Sequence, residues 1–205
     1  YGVIGQIVNT ALSFVCRTVF INKLNVDYLG ISGLFTNILS VFSLAELGIG
    51  SAIIIYMYKP LAERDEYKLK QLSNFYAKAY RIIGTLVAIL GVCLTPFLHF
   101  LIKDEPNVDY LNIIYLLFVA NSAISYFFSY KRAIITADQK EFICTKNSTI
   151  FIAFQYIFQI AILYITKNYL LYLSIAVVTT LGSNIAISYQ ANKLFPFLTE
   201  PEQPK

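Results

Sequence analysis

Apolar residues gather into six runs along the chain, at about 3–21, 29–58, 82–102, 111–130, 148–165 and 170–188, and charged residues collect between them. Most of these runs are about 18–25 residues long, the length at which a helix crosses about 30 Å of hydrocarbon. The pattern predicts an all-α, polytopic membrane protein of about six transmembrane helices, with residues 1–190 forming one helical lobe. The stretch from Lys59 to Arg81 is too long for a tight turn. Within it Tyr67, Leu69, Leu72, Phe75, Tyr76, Ala79 and Tyr80 recur mainly three and four residues apart among lysines. That spacing predicts an amphipathic helix over about 61–81, lying at the membrane interface and running into the third apolar run. Its basic residues either face anionic headgroups or solvate a linker helix. Pro60 is expected to end the second run, and Asp104-Glu105-Pro106-Asn107 reads as a polar turn. Residues 191–205, Pro-rich and charged without apolar periodicity, read as a linker, and no internal repeat is present.

Composition strengthens the membrane reading. Apolar residues make up 57% of the chain and charged ones 14%, against about 25% charged in a soluble domain. Too few polar residues remain to cover a water-facing surface. The basic residues are also unevenly placed. Lys59, Arg64, Lys68, Lys70, Lys78 and Arg81 follow the second run, and Lys131, Arg132, Lys140 and Lys146 follow the fourth. Lys193 and Lys205 follow the sixth, while the other connections hold Lys23, Lys103 and Lys167. This roughly fourfold excess on one side makes that side cytoplasmic by the positive-inside rule, and both chain ends are expected there. The net charge of +4 then reflects topology, and no nucleic-acid partner is expected. The single methionine is Met57 and the chain opens at Tyr1, directly before an apolar run; a truncated fragment is expected rather than a cleaved leader. Cys16, Cys93 and Cys144 lie in or beside apolar runs without paired spacing and read as small hydrophobes. The Asn147-Ser148-Thr149 sequon falls on the expected cytoplasmic side and is discounted.

Polar residues inside apolar runs are costly, so their spacing carries information. Gln6, Asn9, Thr10, Ser13 and Arg17 form one stripe at helical spacing. Gly33, Asn37, Ser40, Ser43, Glu46 and Gly50 form a second, and Asn121 with Ser125 and Ser129 a third. Gln155 and Gln159 mark the fifth run, and Thr180, Asn184 and Ser188 the sixth. Such stripes either line an aqueous interior or bind neighbouring helices together by close approach and hydrogen bonds. Read jointly, they point to a cavity. Arg17 lies deep enough for its guanidinium to bind phosphate or carboxylate oxygens in a fork, the other reading being a side chain that snorkels outward. Glu46 lies about 20 Å below the outer end of its run, too far from Arg17 to pair with it. Lys131, Arg132 or Lys146 is the expected partner of Glu46, closing an inner gate; ion coupling through Glu46 is the lesser reading. The single histidine, His99, has no acid, serine or cysteine beside it, and no phosphate loop, dinucleotide motif or metalloprotease pattern occurs. No enzyme activity, cofactor or metal is expected.

In the second run the residues become specific. Tyr28-Leu29-Gly30, Gly33-Leu34-Phe35, Asn37, Leu44-Ala45-Glu46-Leu47-Gly48-Ile49-Gly50, Ala52 and Tyr58-Lys59-Pro60-Leu61-Ala62-Glu63 resemble the Wzx-type polysaccharide flippases. These exporters of O-antigen, capsule and teichoic-acid units share a superfamily with MATE exporters and the lipid II flippase MurJ. Lys70, Leu72, Tyr76, Tyr80-Arg81-Ile82-Ile83-Gly84, Tyr130-Lys131-Arg132 and Ala137-Asp138-Gln139-Lys140 continue the likeness. The resemblance implies a bacterial cytoplasmic-membrane protein of two lobes, of which this chain supplies the first and which lacks its C-terminal lobe here. A lipid-pyrophosphate-linked oligosaccharide would cross between the lobes by alternating access, and the fragment alone would not transport. Arg17 stands where such flippases tend to carry a basic residue. The stripe residues Asn9, Ser13, Asn37, Ser40 and Asn121 would join it in holding the pyrophosphate and first sugars. Membrane lipids, a polysaccharide polymerase and glycosyltransferases would be partners. A MATE-like cation antiporter would need more intramembrane acids than Glu46, and a membrane-embedded polymerase or acyltransferase would need a larger outer loop. Arg17→Ala in the full-length protein is expected to abolish surface export at unchanged expression, with partial rescue by Arg17→Lys; unimpaired export in the alanine variant would remove Arg17 from the mechanism.

Overall fold

The computed structural model describes residues 2–24, 26–43, 48–102, 108–127 and 129–199. Among the described residues the chain is helical throughout, without strands. The helices are α1 (Gly2–Lys23), α2 (Val26–Ser43), α3 (Ile49–Glu63), α4 (Glu66–Leu94), α5 (Leu98–Leu101), α6 (Leu111–Phe127), α7 (Ser129–Ala137), α8 (Glu141–Ile165) and α9 (Tyr169–Leu194). Three helical runs are long and apolar enough to cross a membrane: α4 through α5, α8 and α9. A fourth is reached if α6 and α7, inclined at 45°, are taken as one span, and α2 is a shorter apolar helix.

Local chemistry explains most of the boundaries. Asp65 caps α4 by accepting a hydrogen bond from the Lys68 backbone N–H at 2.9 Å. The expected amphipathic segment begins there, at Glu66 instead of 61, and continues without a break into the apolar run as one 29-residue helix. Pro96, which lacks an N–H, follows the end of α4 and starts a 3-10 turn over Thr95–Phe97. Asn168 caps α9, its Oδ1 accepting from the Leu170 and Leu171 N–H groups at 2.9 and 3.3 Å. Pro60 does not end its run: it lies inside the last turn of α3, which closes at Arg64 with φ 55°.

Two expectations need correction. Among the described residues the second apolar run holds two helices, α2 and α3, and Gly48 just before α3 has a φ of 88°, outside helical geometry and suited to glycine. The basic stretch after the fourth run is not an open connection. Lys131 and Arg132 belong to α7, which packs against α3, α4, α8 and α9. Ala133, Ile134, Ile135 and Ala137 of α7 are all fully buried.

The helices pair as α1 along α8, α8 along α9, α9 along α6, and α6 along α4, with α2 against α6. Two apolar clusters result. One joins α3, the first half of α4, α7 and the end of α9, around Met57, Tyr80, Ile134 and Ile187. The other joins the end of α1, α2, the start of α6, the end of α8 and the start of α9, around Phe35, Tyr115, Leu163 and Tyr169. Helical rise separates Leu173 from Ile187 on α9 by about 21 Å, so the clusters occupy opposite ends of the bundle. Outside them the helices are greasy. Only 11% of the apolar window of α8 and 17% of that of α9 is buried within the protein, and Phe14, Ile82, Ile165 and Val178 stand exposed. Hydrocarbon, not water, matches such a surface.

Close contact between α4 and α6 depends on glycine. A Cβ on Gly91 would come within 2.6 Å of Val119 Cγ1, whereas one on Gly30 would meet nothing within 4 Å. Gly91→Ala is therefore expected to lower the thermal unfolding midpoint in detergent, by about 1–3 kcal/mol of overpacking, and Gly30→Ala to leave it unchanged or raise it. Equal stability of the two variants would mean that α4 and α6 do not meet at Gly91.

Candidate functional site

Between the two apolar clusters lies a polar layer. On α9, Thr179, Thr180, Ser183 and Asn184 share one face. On α8, Ser148, Ile152 and Gln155 follow one another three and four residues apart, as side chains on one helical face do. These residues, with Ser125 of α6 and Arg132 of α7, line a cleft of about 260 Å³. A second cleft of about 200 Å³ runs along α1 and α8, past Gln6, Asn9, Thr136, Glu141, Thr145 and Thr149. Arg132, Ser148 and Ile152 border both clefts. The half-buried Arg132 donates through Nη2 to Ser148 Oγ at 3.1 Å. No carboxylate pairs with it: the ion pairs among the described residues are Lys59–Glu63 and Lys140–Asp138. Glu141, on the wall of the second cleft, is solvent-exposed.

The polar residues divide between binding helices together and lining space. Asn147 is buried and donates to Ser183 O and Oγ at 3.0 and 2.8 Å, joining α8 to α9. The asparagine of the sequon is therefore sealed between α8 and α9. Gln159, also buried, donates to Tyr172 O at 3.1 Å and accepts from Cys16 Sγ at 3.9 Å, joining α1, α8 and α9. Asn184 donates to Ile124 O at 3.3 Å, and Thr179 donates to Gln155 Oε1 at 3.1 Å. Each such bond contributes about 0.6–2 kcal/mol where no water competes. Asn9 differs. It is buried on the wall of the second cleft, and its Oδ1 has no hydrogen-bond partner among the described residues. An unpaired buried acceptor beside empty volume suits a ligand or water.

Other expected residues are dispersed. Arg17 is exposed on α1, and Asn37 and Ser40 are exposed on α2; none of the three borders either cleft. Ser13 is half-buried and donates to Thr10 O at 2.8 Å. Asn121 is half-buried, with an Oδ1 that is sealed and unpartnered among the described residues. Lys146 is exposed on α8, whereas Lys131 is buried and donates to Asn192 Oδ1. Glu46 lies outside the described residues. His99 is exposed, with Nδ1 2.9 Å from Pro96 O, and no group of three or more metal-ligating side chains occurs among the described residues.

Arg132, expected at an inner gate, is the cation that lines the polar layer among the described residues. Thr145, Ser148 and Thr149 belong to none of the polar stripes read from the sequence, and they continue Gln155 down the same face of α8. The apolar run begins at Ser148, whereas α8 begins at Glu141, so Thr145 lies on the helix ahead of the apolar run, among basic residues.

Comparison with family models, with characterised proteins and with solved structures gave no match.

A polar cleft beside exposed apolar surface makes a direct expectation, if the cleft is hydrated. In a Cys93→Ala parent, whose remaining cysteines Cys16 and Cys144 are buried, Thr180→Cys should react with a membrane-impermeant thiol reagent at least about tenfold faster than Val178→Cys, because only a hydrated thiol ionises. Equal rates would mean that the cleft is dry.

Proposed function

We propose that this chain is one lobe of a multi-pass transporter in the bacterial cytoplasmic membrane, exporting undecaprenyl-pyrophosphate-linked oligosaccharide units by alternating access. The observation that carries this reading is Arg132. Its guanidinium borders two contiguous clefts, meets a serine hydroxyl, and has no carboxylate partner among the described residues. A guanidinium is a planar fork for phosphate oxygens and keeps its charge at any physiological pH. The walls around it, built from Thr179, Thr180, Ser183, Asn184 and Gln155, offer the donors and acceptors that sugar hydroxyls need. The layer lies between two apolar clusters, the level at which transporters commonly hold their cargo. The prenyl tail would remain in lipid beside the greasy outer faces of α8 and α9.

A second lobe is supported by α2. Ile31, Phe35 and Leu39 turn its apolar face inward, while Asn37 and Ser40 are exposed on the opposite face. Gly30 and Gly33 lie on that same side, with open space around both. Glycine and asparagine on a membrane helix favour another helix or water over lipid. Arg17 at the surface of α1 fits the same side of the argument, since hydrocarbon is a poor environment for its charge. In this reading Arg17, Asn37 and Ser40 meet cargo or the second lobe, Asn9 and Ser13 lie on the helix that leads inward, and Asn121 lies deeper. Glu46, with a basic residue such as Lys146, would close the inner gate.

Glu141 favours one alternative, exchange of an organic cation, because it brings a carboxylate to the second cleft. The two readings separate by mutation in the full-length protein. Arg132→Ala is expected to weaken binding of undecaprenyl pyrophosphate about ten- to hundredfold, the loss of a charged hydrogen-bond donor, and to abolish surface glycan at unchanged expression. Glu141→Gln is expected to leave both intact. Glycan export that survives Arg132→Ala but fails in Glu141→Gln would replace the anionic cargo with a cation-coupled exporter.

A further inference from the structure

Lys131 and Arg132 are neighbours on α7, and consecutive side chains on a helix diverge by about 100°. Arg132 enters the polar layer; Lys131 enters a separate cavity on the other side of α7. That cavity, about 60 Å³, lies between α4, α7 and the 3-10 turn Pro196–Leu198. Ser73, Asn74, Ala77 and Arg81 of α4 form one wall, and Tyr130, Lys131 and Ile134 of α7 another. Two cations thus border a volume that no carboxylate of the described residues lines.

Lys131, Ser73 and Arg81 each have bonding capacity left among the described residues. Lys131 is only 8% exposed. Of the three protons on its ammonium, Asn192 Oδ1 accepts one, and the Tyr130 ring lies 5.7 Å from Nζ. Both partners are neutral, so the buried charge has no counter-ion among the described residues, an arrangement that burial penalises unless an anion arrives. Ser73 is 4% exposed, and its Oγ is sealed without a hydrogen-bond partner among the described residues. Arg81, exposed at the rim, forms no ion pair among them. Ala77, one turn from Ser73 and one from Arg81, leaves the room between them.

We infer that the cavity formed by Ser73, Arg81 and Lys131 binds a phosphoryl oxyanion at the membrane interface, separately from the cleft around Arg132. One oxygen takes the ammonium of Lys131, a second the hydroxyl of Ser73, and the guanidinium of Arg81 closes over the group from the rim. The charge-assisted bonds are the strong ones. The volume admits a few waters or one tetrahedral oxyanion. Two sources supply this chemistry: an anionic phospholipid headgroup and free inorganic phosphate. The surroundings suit a headgroup, because Tyr67, Phe75 and Lys78 stand exposed along the same amphipathic half of α4. The inference stands whether or not the polar layer carries a lipid-linked sugar.

The test uses the purified chain, delipidated in detergent, with the thermal unfolding midpoint as readout. Phosphatidylglycerol in mixed micelles, phosphatidylcholine in the same micelles, and inorganic phosphate alone are titrated separately. A rise of about 3–6 °C at saturation with phosphatidylglycerol or with phosphate, but not with phosphatidylcholine, is expected, and the arm that responds names the source. Lys131→Met and Ser73→Ala should abolish the rise. Arg81→Gln, a surface change that folding tolerates, should reduce it several-fold in apparent affinity. Lys78→Gln, which removes a nearby charge outside the cavity, should leave it unchanged. No rise with either phosphate source, or a rise that persists in Arg81→Gln and Lys131→Met, overturns the site. A Glu46→Gln protein destabilised as much as Lys131→Gln, with no phosphate response in the wild type, would assign the counter-ion of Lys131 to that carboxylate instead.

Discussion

A nine-residue helix, α7, must be buried for one end of this bundle to close, and burying it carries two cations inward. Ala133, Ile134, Ile135 and Ala137 fill the space among α3, α4, α8 and α9. Leaving those four side chains at the surface would open the cluster around Met57, Tyr80 and Ile187. Lys131 and Arg132 immediately precede this sequence and cannot stay outside while it goes in. Helical geometry sends them in different directions, and a cavity with polar walls lies at the head of each, that of Lys131 also bordered by Arg81. The cavities follow from the charges: a buried cation that is not paired needs polar walls or water.

The polar residues of the long helices obey a related rule. Where a carbonyl or hydroxyl lies across the helix boundary at hydrogen-bond distance, as for Asn147, Gln159 and Asn184, the side chain ties helices together. Where no such partner lies opposite, as for Asn9 Oδ1, the same chemistry borders empty volume. A helical stripe of Asn, Gln and Ser is thus not one kind of feature. Its members are assigned one by one, by what the neighbouring helix presents at that height.

The outer surface completes the picture. Exposed Phe, Ile and Val on α1, α4, α8 and α9 have no counterpart in a water-soluble bundle, and little of each apolar window packs inside. Against that background the exposed Gly30, Gly33, Asn37 and Ser40 face of α2 stands out, because lipid gains nothing from it. An apolar exterior, a polar layer between two apolar ends and one exposed polar face on α2 are the three surfaces that the described helices present.

How much of this was legible before the fold is best judged on particular residues. The helices α8 and α9 were plain in the apolar runs, and the amphipathic start of α4 in the recurrence of Leu69, Leu72, Tyr76 and Tyr80. Periodicity and composition are local properties, and local chemistry is enough to choose a helix and the medium around it. The break between α2 and α3 and the burial of α7 were not legible. A continuous apolar run does not reveal where a helix within it starts, and Lys131-Arg132 beside Ala133-Ile134-Ile135 is equally a basic connection or a packed helix until other helices surround it. The sequence by itself determined the helical class and the apolar exterior. Tertiary structure alone decided that Arg132 and not Arg17 lines the polar layer, and that Lys131 of α7 borders one cavity with Ser73 and Arg81 of α4, because α4 and α7 are far apart in the chain and only packing brings them together.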